Sequence, residues 1–143
     1  MKKYKVGYTT GVFDLFHIGH LNLLKQAKDN CDYLIVGVTT DEETIRIKNK
    51  KPIIPFEERI EIIRNIKFVD KAVPEESSNK LVAWDIYKFN VIFKGDDWKG
   101  TLKWVQYESE FTKLGVDVIY FPYTDGTSST LLGKYLLNFL DQK

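Results

Sequence analysis

Two histidines, His17 and His20, stand three residues apart in a run that follows a strand-like segment and precedes an amphipathic stretch. At the start of a helix, side chains with this spacing point to the same side, where unpaired backbone N–H groups and the helix dipole favour an anion. An imidazole can donate a hydrogen bond to a phosphoryl oxygen as charge develops on it. Gly19 leaves room for a polyphosphate to approach the backbone. A lone histidine is more often structural, but the only two in the chain share one strand-to-helix turn, which predicts a nucleotide-phosphate site.

A second group of charged residues contains Lys48, Lys50 and Lys51. Composition alone favours a solvated surface run. Their position after the second predicted strand would instead let them reach a triphosphate or a phosphate monoester. The segment Ile45–Pro55 is the only long polar interruption near this edge of the predicted sheet. We therefore predict that it forms a lid loop.

Three further segments combine a helix or strand end with polar side chains. The run Gly95-Asp96-Asp97-Trp98 follows a predicted strand. One of its carboxylates could accept a hydrogen bond from a cytosine amino group or bind a metal-coordinated water. An Asx turn would also explain the run. The hydroxyl residues from Thr124 to Thr130 could cap a helix or bind β- and γ-phosphates. Arg59, one turn into a helix that begins near Pro55, could form a surface ion pair or contact a ligand.

Alternating strand and helix patterns predict the fold. Short apolar runs bounded by turn residues predict strands at Lys5–Tyr8, Tyr33–Val38, Lys71–Val73, Val91–Lys94 and Val116–Phe121. Helical periodicity predicts helices at Gly19–Asp29, Phe56–Asn65, Asn79–Phe89, Thr101–Leu114 and Ser129–Leu140. The expected α/β architecture is a single doubly wound, Rossmann-like, five-stranded parallel sheet with helices on both faces, forming one domain over residues 1–143.

Composition limits the partners and the compartment. The chain has 143 residues, of which 43% are hydrophobic, and its 21 basic and 20 acidic side chains give a net charge of +1. The net charge is therefore too small to attract nucleic acid or an anionic membrane by long-range electrostatics. Cys31 is the single cysteine, which excludes an internal disulfide, and we expect it to be buried. Without an apolar N-terminal segment, we expect a cytoplasmic protein that does not insert into a membrane.

The run from Thr10 to His20 resembles the signature of the HxGH nucleotidyltransferase superfamily, and within it the cytidylyltransferases are the most similar. Further matches follow in family order at Thr40-Asp41-Glu42, Glu58-Arg59, Phe68-Val69-Asp70, Gly95-Asp96-Asp97-Trp98 and Thr124-Asp125-Gly126-Thr127-Ser128-Ser129-Thr130. The small bacterial glycerol-3-phosphate cytidylyltransferases are similar in length and carry the same Gly-Asp-Asp-Trp run. The resemblance thus extends over nearly the whole chain.

The resemblance implies a role for each matching position. Catalytic roles fall on His17, His20, Lys48 and Asp14. Nucleotide contacts fall on Thr10, Gly11, Phe13, Gly19, Asp97, Thr124, Gly126, Ser128, Ser129 and Thr130. Contacts with the second substrate fall on Lys50, Arg59 and Trp98.

The expected reaction is attack by the phosphate oxygen of a small alcohol phosphate on the α-phosphorus of CTP, with release of pyrophosphate. Mg²⁺ should arrive with CTP, because no His/Cys/carboxylate cluster in the sequence suggests a metal site built by the protein alone. The resemblance also implies a homodimer and a place in cell-envelope precursor biosynthesis.

Several alternatives remain open. Glycerol-3-phosphate is the favoured acceptor, but the aromatic residues leave phosphocholine or phosphoethanolamine open. An adenylyltransferase of the same superfamily or a nucleotide-binding subunit without turnover is also possible. A fragment of an aminoacyl-tRNA synthetase is disfavoured, because the chain lacks the second lysine signature, the length and a basic face.

Two positions depart from the family pattern. Tyr123 stands where an arginine is expected, and Ser129 replaces a threonine. Loss of the arginine removes a fixed charge and a bidentate donor for the nucleotide phosphates. We expect another cation, such as Lys94 or Lys134, to compensate.

Overall fold

The computed structural model describes residues 3–122 and 128–141. This part of the chain contains five strands, six helices and one short 3₁₀ turn, at Asp96–Trp98. The strands are β1 (Tyr4–Gly11), β2 (Cys31–Thr39), β3 (Lys71–Glu75), β4 (Val91–Gly95) and β5 (Asp117–Phe121). The helices are α1 (Ile18–Asp29), α2 (Asp41–Lys48), α3 (Phe56–Arg64), α4 (Lys80–Tyr87), α5 (Leu102–Lys113) and α6 (Ser129–Asp141).

The five strands form one parallel sheet in the order β3-β2-β1-β4-β5, which confirms the predicted doubly wound architecture. From β1 the chain builds outward to β2 and β3 on one side, then returns to add β4 and β5 on the other. The order therefore reverses between β1 and β4. In open α/β sheets a ligand crevice lies at the carboxyl ends of the strands at such a reversal.

Each face of the sheet packs against its own pair of helices. On one face, Leu24 of α1 and Ile63 of α3 pack with strand residues such as Val36 and Phe93. On the other face, Trp104 of α5 and Ala83 of α4 belong to a second apolar cluster. Strand residues alternate between the two faces, so the near-continuous apolar runs in the sequence reflect burial on both sides.

The predicted lid is shorter than the sequence indicated. Residues 45–48 belong to α2, and the remaining loop covers residues 49–55. The Thr40 hydroxyl caps this helix by accepting from the Glu43 N–H, and acidic residues in its first turn complement the helix dipole. Because the exposed residues Ile45 and Ile47 form no apolar stripe, periodicity did not reveal the helix.

Cys31 is fully buried, as predicted. None of the helices within the described ranges combines the length and the apolar character needed to cross a membrane.

Candidate active site

His17 and His20 both accept hydrogen bonds from backbone N–H groups at the first turn of α1. The Nδ1 atom of His17 accepts from the Gly19 N–H at 3.1 Å, and Nδ1 of His20 accepts from the His17 N–H at 3.2 Å. Because each Nδ1 acts as an acceptor, the proton of each neutral ring resides on Nε2. The two ring centroids are 3.9 Å apart, and both side chains line one cavity. The arrangement can therefore offer two Nε2–H donors to one ligand.

Burial keeps both imidazoles uncharged. It lowers the pKa of His17 below its ordinary value and lowers the pKa of His20 to about 4, where proximity to His17 adds to the effect and Asp14 opposes it. The rings of Phe13 and Phe16 lie 5.4 and 5.2 Å from the His20 ring, centroid to centroid. At neutral pH the pair consists of neutral hydrogen-bond donors.

Asp14 joins the loop before α1 to the loop that follows α2. Its two carboxylate oxygens accept from the N–H groups of Ile53 and Ile54, at 2.8 and 2.9 Å. Its backbone carbonyl accepts from the Ser129 hydroxyl at the start of α6. With both carboxylate oxygens bonded to backbone, Asp14 holds these loops together. Its catalytic role, which the family resemblance implies, stays a prediction.

Arg59 lies in the interior of the protein. The sequence had predicted a contact between this residue and the second substrate. Its side chain is fully buried and donates to the carbonyls of Ile54, Val12 and Thr39, and it pairs with Asp41 at 2.7 Å. These bonds occupy the guanidinium group. Arg59 therefore connects three segments around the cavities and is absent from the described lining of both, and its contact with substrate stays a prediction.

A cavity of about 300 Å³ lies at the crevice between the ends of β1 and β4. Its described lining is Thr10, His17, Gly19, His20, Leu23, Gln26, Lys94, Gly95, Asp97, Trp98, Phe121, Pro122, Ser128, Ser129 and Thr130. A Cβ atom at Gly95 would lie 2.7 Å from an Asp97 carboxylate oxygen, so a larger residue here would require the Asp97 side chain to move. The structure thus brings the histidines together with the Gly-Asp-Asp-Trp run.

A second cavity, of about 310 Å³, adjoins the first and shares Thr10 and His20 with it. The positions predicted to bind ligand that line it are Gly11, Phe13, Asp14, Lys48, Lys50, Ser129 and Thr130, and Lys51 lies beside them. The lysines are therefore near the histidine pair, as their position after β2 indicated. Their action on phosphate groups stays a prediction.

Sequence reasoning missed a buried polar network beneath the cavity. The Lys80 ammonium donates to Thr10 Oγ1 at 2.9 Å and to Glu75 at 2.7 Å, and the Thr39 hydroxyl donates to the same carboxylate. Burial lowers the pKa of Lys80, against the opposing effect of Glu75. Because Thr10 accepts from Lys80, its own hydroxyl hydrogen is available to a ligand. The available signal was position, since Thr39 and Glu75 end neighbouring parallel strands.

The start of α6 carries hydroxyl groups into both cavities. Ser128 lines the first cavity, and its hydroxyl oxygen accepts from the Leu131 N–H, as expected of a helix cap. Ser129 and Thr130 line both cavities. Tyr123 and the predicted nucleotide contacts Thr124 and Gly126 lie outside the described residues.

A doubly wound parallel sheet, with paired histidines at the start of its first crossover helix and a cavity at its switch point, defines an α/β nucleotidyltransferase fold. Residues 8–139 match the family model described as cytidylyltransferase-like, and the chain belongs to this family.

The matches with similar proteins extend over most of this chain. Glycerol-3-phosphate cytidylyltransferase from Bacillus spizizenii is 41% identical, across 88% of this chain and 92% of the relative. The protein of the same name from Staphylococcus aureus is 37% identical, across 90% of this chain and 92% of the relative. The crystal structure of the lipopolysaccharide core biosynthesis protein from Thermoplasma volcanium superposes with a TM-score of 0.74 at 31% identity, across 85% of this chain and 99% of that one.

Proposed function

We propose that this chain transfers CMP from CTP to glycerol-3-phosphate, giving CDP-glycerol and pyrophosphate. The observation that carries the proposal is similarity across about nine-tenths of the chain to proteins named glycerol-3-phosphate cytidylyltransferase. A phosphate oxygen of the acceptor forms a bond to the α-phosphorus of CTP. The bond from that phosphorus to the oxygen bridging it to the β-phosphate breaks, and the electron pair leaves with pyrophosphate.

The histidine pair stabilises the α-phosphate in this scheme. Negative charge grows on its oxygens as the acceptor attacks, and preorganised N–H donors in a poorly solvated site lower the energy of that state. His17 and His20 supply such donors because their Nδ1 atoms are already bonded to backbone N–H groups. No nucleophilic side chain is needed.

The groups around the histidines align the reactants. Lys48 and Lys50 are charged, lie on or beside the 49–55 loop and reach the second cavity, so they suit anionic phosphates. Thr10 offers a hydroxyl hydrogen, and the hydroxyl groups of Ser128 and Thr130 suit the β- and γ-phosphates at the start of α6, where the Ser129 hydroxyl already donates to the Asp14 carbonyl. Holding both substrates in line supplies much of the rate enhancement in phosphoryl transfer.

Mg²⁺ enters this proposal together with CTP. Within the described ranges, no group of three or more His, Cys, Asp or Glu side chains could hold a metal ion. Mg²⁺ commonly binds through substrate phosphates and one or two carboxylates, which fits a cavity whose lining includes Asp97. When bound, the ion would neutralise charge on the pyrophosphate portion of the nucleotide.

The test measures pyrophosphate release with CTP or ATP against glycerol-3-phosphate, phosphocholine and phosphoethanolamine. We expect Mg²⁺-dependent turnover with CTP and glycerol-3-phosphate, and poor use of ATP. Consumption of ATP at least as efficiently as CTP across the acceptors would overturn the cytidylyl assignment. Binding of CTP without turnover of any acceptor would instead favour a nucleotide-binding subunit.

A cytoplasmic homodimer that supplies cell-envelope precursors is part of the same proposal. Exposed apolar side chains on α6, including Tyr135, Leu137 and Leu140, support a partner copy covering this helix. Light scattering at increasing protein concentration tests the dimer. A monomer throughout the working range would contradict it.

A further inference from the structure

Lys94 places a positive charge in the first cavity, and none of the described ion pairs neutralises it. It precedes the last residue of β4 and lines the cavity together with the histidine pair. Among residues 3–122 and 128–141, the ion pairs do not include Lys94. A half-buried cation outside any ion pair disfavours a second cation nearby and favours a neutral or anionic group.

Neighbouring charges reinforce this property. Burial is the main cause that lowers the pKa of Lys94 to about 8, and the positive charges of Lys80 and Lys48 act in the same direction. Glu75 and Asp97 oppose the shift. At neutral pH most of the ammonium is still protonated, so this side of the cavity is electropositive.

The ammonium of Lys94 also lies over the Trp98 ring, an aromatic surface in this cavity that a cationic substrate could use. Recognition of a quaternary ammonium uses the open face of an aromatic ring within about 6 Å. Trp98 is the one tryptophan in the described lining, and Lys94 Nζ lies 4.8 Å from its ring centroid and 5.9 Å from that of buried Trp104. The third tryptophan, Trp84, lies outside this lining, and its ring centroid is 4.0 Å from Lys88 Nζ.

We propose that Lys94 determines acceptor specificity, because its ammonium on the Trp98 ring excludes acceptors with a positively charged head group and admits uncharged alcohol phosphates. This inference rests on the proposed cytidylyl transfer and deepens it by assigning a residue to the choice of acceptor. It decides between the glycerol-3-phosphate and phosphocholine alternatives that the sequence left open.

The test compares three full-length variants with the wild type. Lys94→Met removes the charge at similar size, and Lys94→Arg retains it. Lys88→Met is the matched control, because it removes an ammonium from an indole outside the cavity lining. For each protein, kcat/KM is measured with CTP and Mg²⁺ for glycerol-3-phosphate and for phosphocholine.

We expect Lys94→Met to raise the ratio of phosphocholine to glycerol-3-phosphate turnover at least tenfold. Lys94→Arg and Lys88→Met should keep the wild-type ratio. A ratio for Lys94→Met within twofold of wild type, in a protein with an unchanged thermal transition, overturns the proposal. An equal rise in Lys88→Met also overturns it, since the effect would not come from the cavity.

Failure of the proposed function is distinguishable from failure of this inference. If wild type releases no pyrophosphate with any acceptor, the cytidylyl transfer fails, and the same two phosphate esters are titrated calorimetrically into wild type and Lys94→Met. A tenfold relative gain for phosphocholine supports the role of Lys94 in binding. No relative gain, including no detectable binding of either ester, overturns it.

Discussion

The histidine pair shows how one side chain can serve local structure and ligand binding through different atoms. In both rings Nδ1 accepts a hydrogen bond from a backbone N–H at the first turn of α1. The Nε2–H group of each ring is therefore available to donate to a ligand in the cavity. The backbone thus selects the tautomer that donates toward a ligand. Substitutions can separate these two functions.

His17→Ala and His17→Asn should therefore differ in stability and agree in catalysis. Both lose the Nε2–H donor, so we expect kcat to fall about 10²–10³-fold, as when one transition-state donor is removed. Alanine also loses the helix cap, at a cost of about 1 kcal/mol, whereas asparagine can still cap.

Steady-state kinetics and urea unfolding of both variants check this prediction. His20→Ala should show a similar loss of kcat. Near-normal kcat in folded His17 and His20 variants would contradict the assigned role of the pair.

At the scale of elements, the cavity depends on how α3 holds the loops. Arg59 joins the loop after β1, the end of β2 and the segment before α3 through backbone carbonyls and Asp41. Asp14 attaches the 49–55 loop from the other side. These bonds hold the loops that surround the two cavities.

Arg59→Met should lower the free energy of unfolding by about 3–5 kcal/mol, because it leaves a carboxylate and several carbonyls without their buried donor. Arg64→Met on the same helix is the matched control. Its pair with Glu61 is exposed to solvent, so its loss should change the free energy of unfolding little. Urea unfolding measures both variants, and equal small losses would contradict the positioning role of Arg59.

Replacing Lys48 and Lys50 together with alanine should weaken substrate binding and turnover, because both lysines line the second cavity. Thermal stability should change little, since exposed charges rarely contribute more than about 1 kcal/mol each. Lys113→Ala, on exposed α5 surface, is the control. Unchanged kinetics in the double variant would show that these lysines are solvated surface residues without a part in substrate binding.

At the scale of the whole molecule, sheet order decides where the chemistry gathers. The reversal between β1 and β4 brings the start of α1, the end of β4 and the start of α6 around one crevice. The buried network of Lys80, Glu75 and Thr10 joins strand ends beneath it. Global stability should consequently respond to the protonation of groups in this region.

The histidines should make the fold less stable as the pH falls. Their folded pKa values lie below the ordinary value, at about 4 for His20, so the unfolded chain binds more protons between pH 6.5 and 4. Stability is therefore retained above about pH 6.5 and is lost progressively as the pH falls toward 4.

Thermal unfolding between pH 7 and 5 checks this prediction in wild type and His20→Gln. The chain has only two histidines, so this window isolates their effect from most carboxylates. We expect a weaker pH dependence in the variant. An identical dependence would show that His20 is not protonated preferentially in the unfolded chain.

The sequence alone determined the features that depend on local spacing. Apolar runs separated by helical periodicity predicted the five parallel strands, and the position of His17 and His20 after the first strand predicted that their rings share one side of a helix start. Such patterns are readable because strand alternation and helix pitch act over a few residues. Helix α2 was missed because its charged, short sequence has no apolar stripe.

Only the tertiary structure decided which polar side chains turn inward. Arg59 belongs to a matched family motif, yet it is buried on carbonyls from three segments, and Lys80 joins Thr10 across 70 positions of sequence. The sequence suggested Lys94 only as a cation that could replace a family arginine, and the fold places its ammonium on Trp98 inside the cavity. Burial and pairing of charged groups depend on partners brought together by long-range packing, which local spacing does not encode.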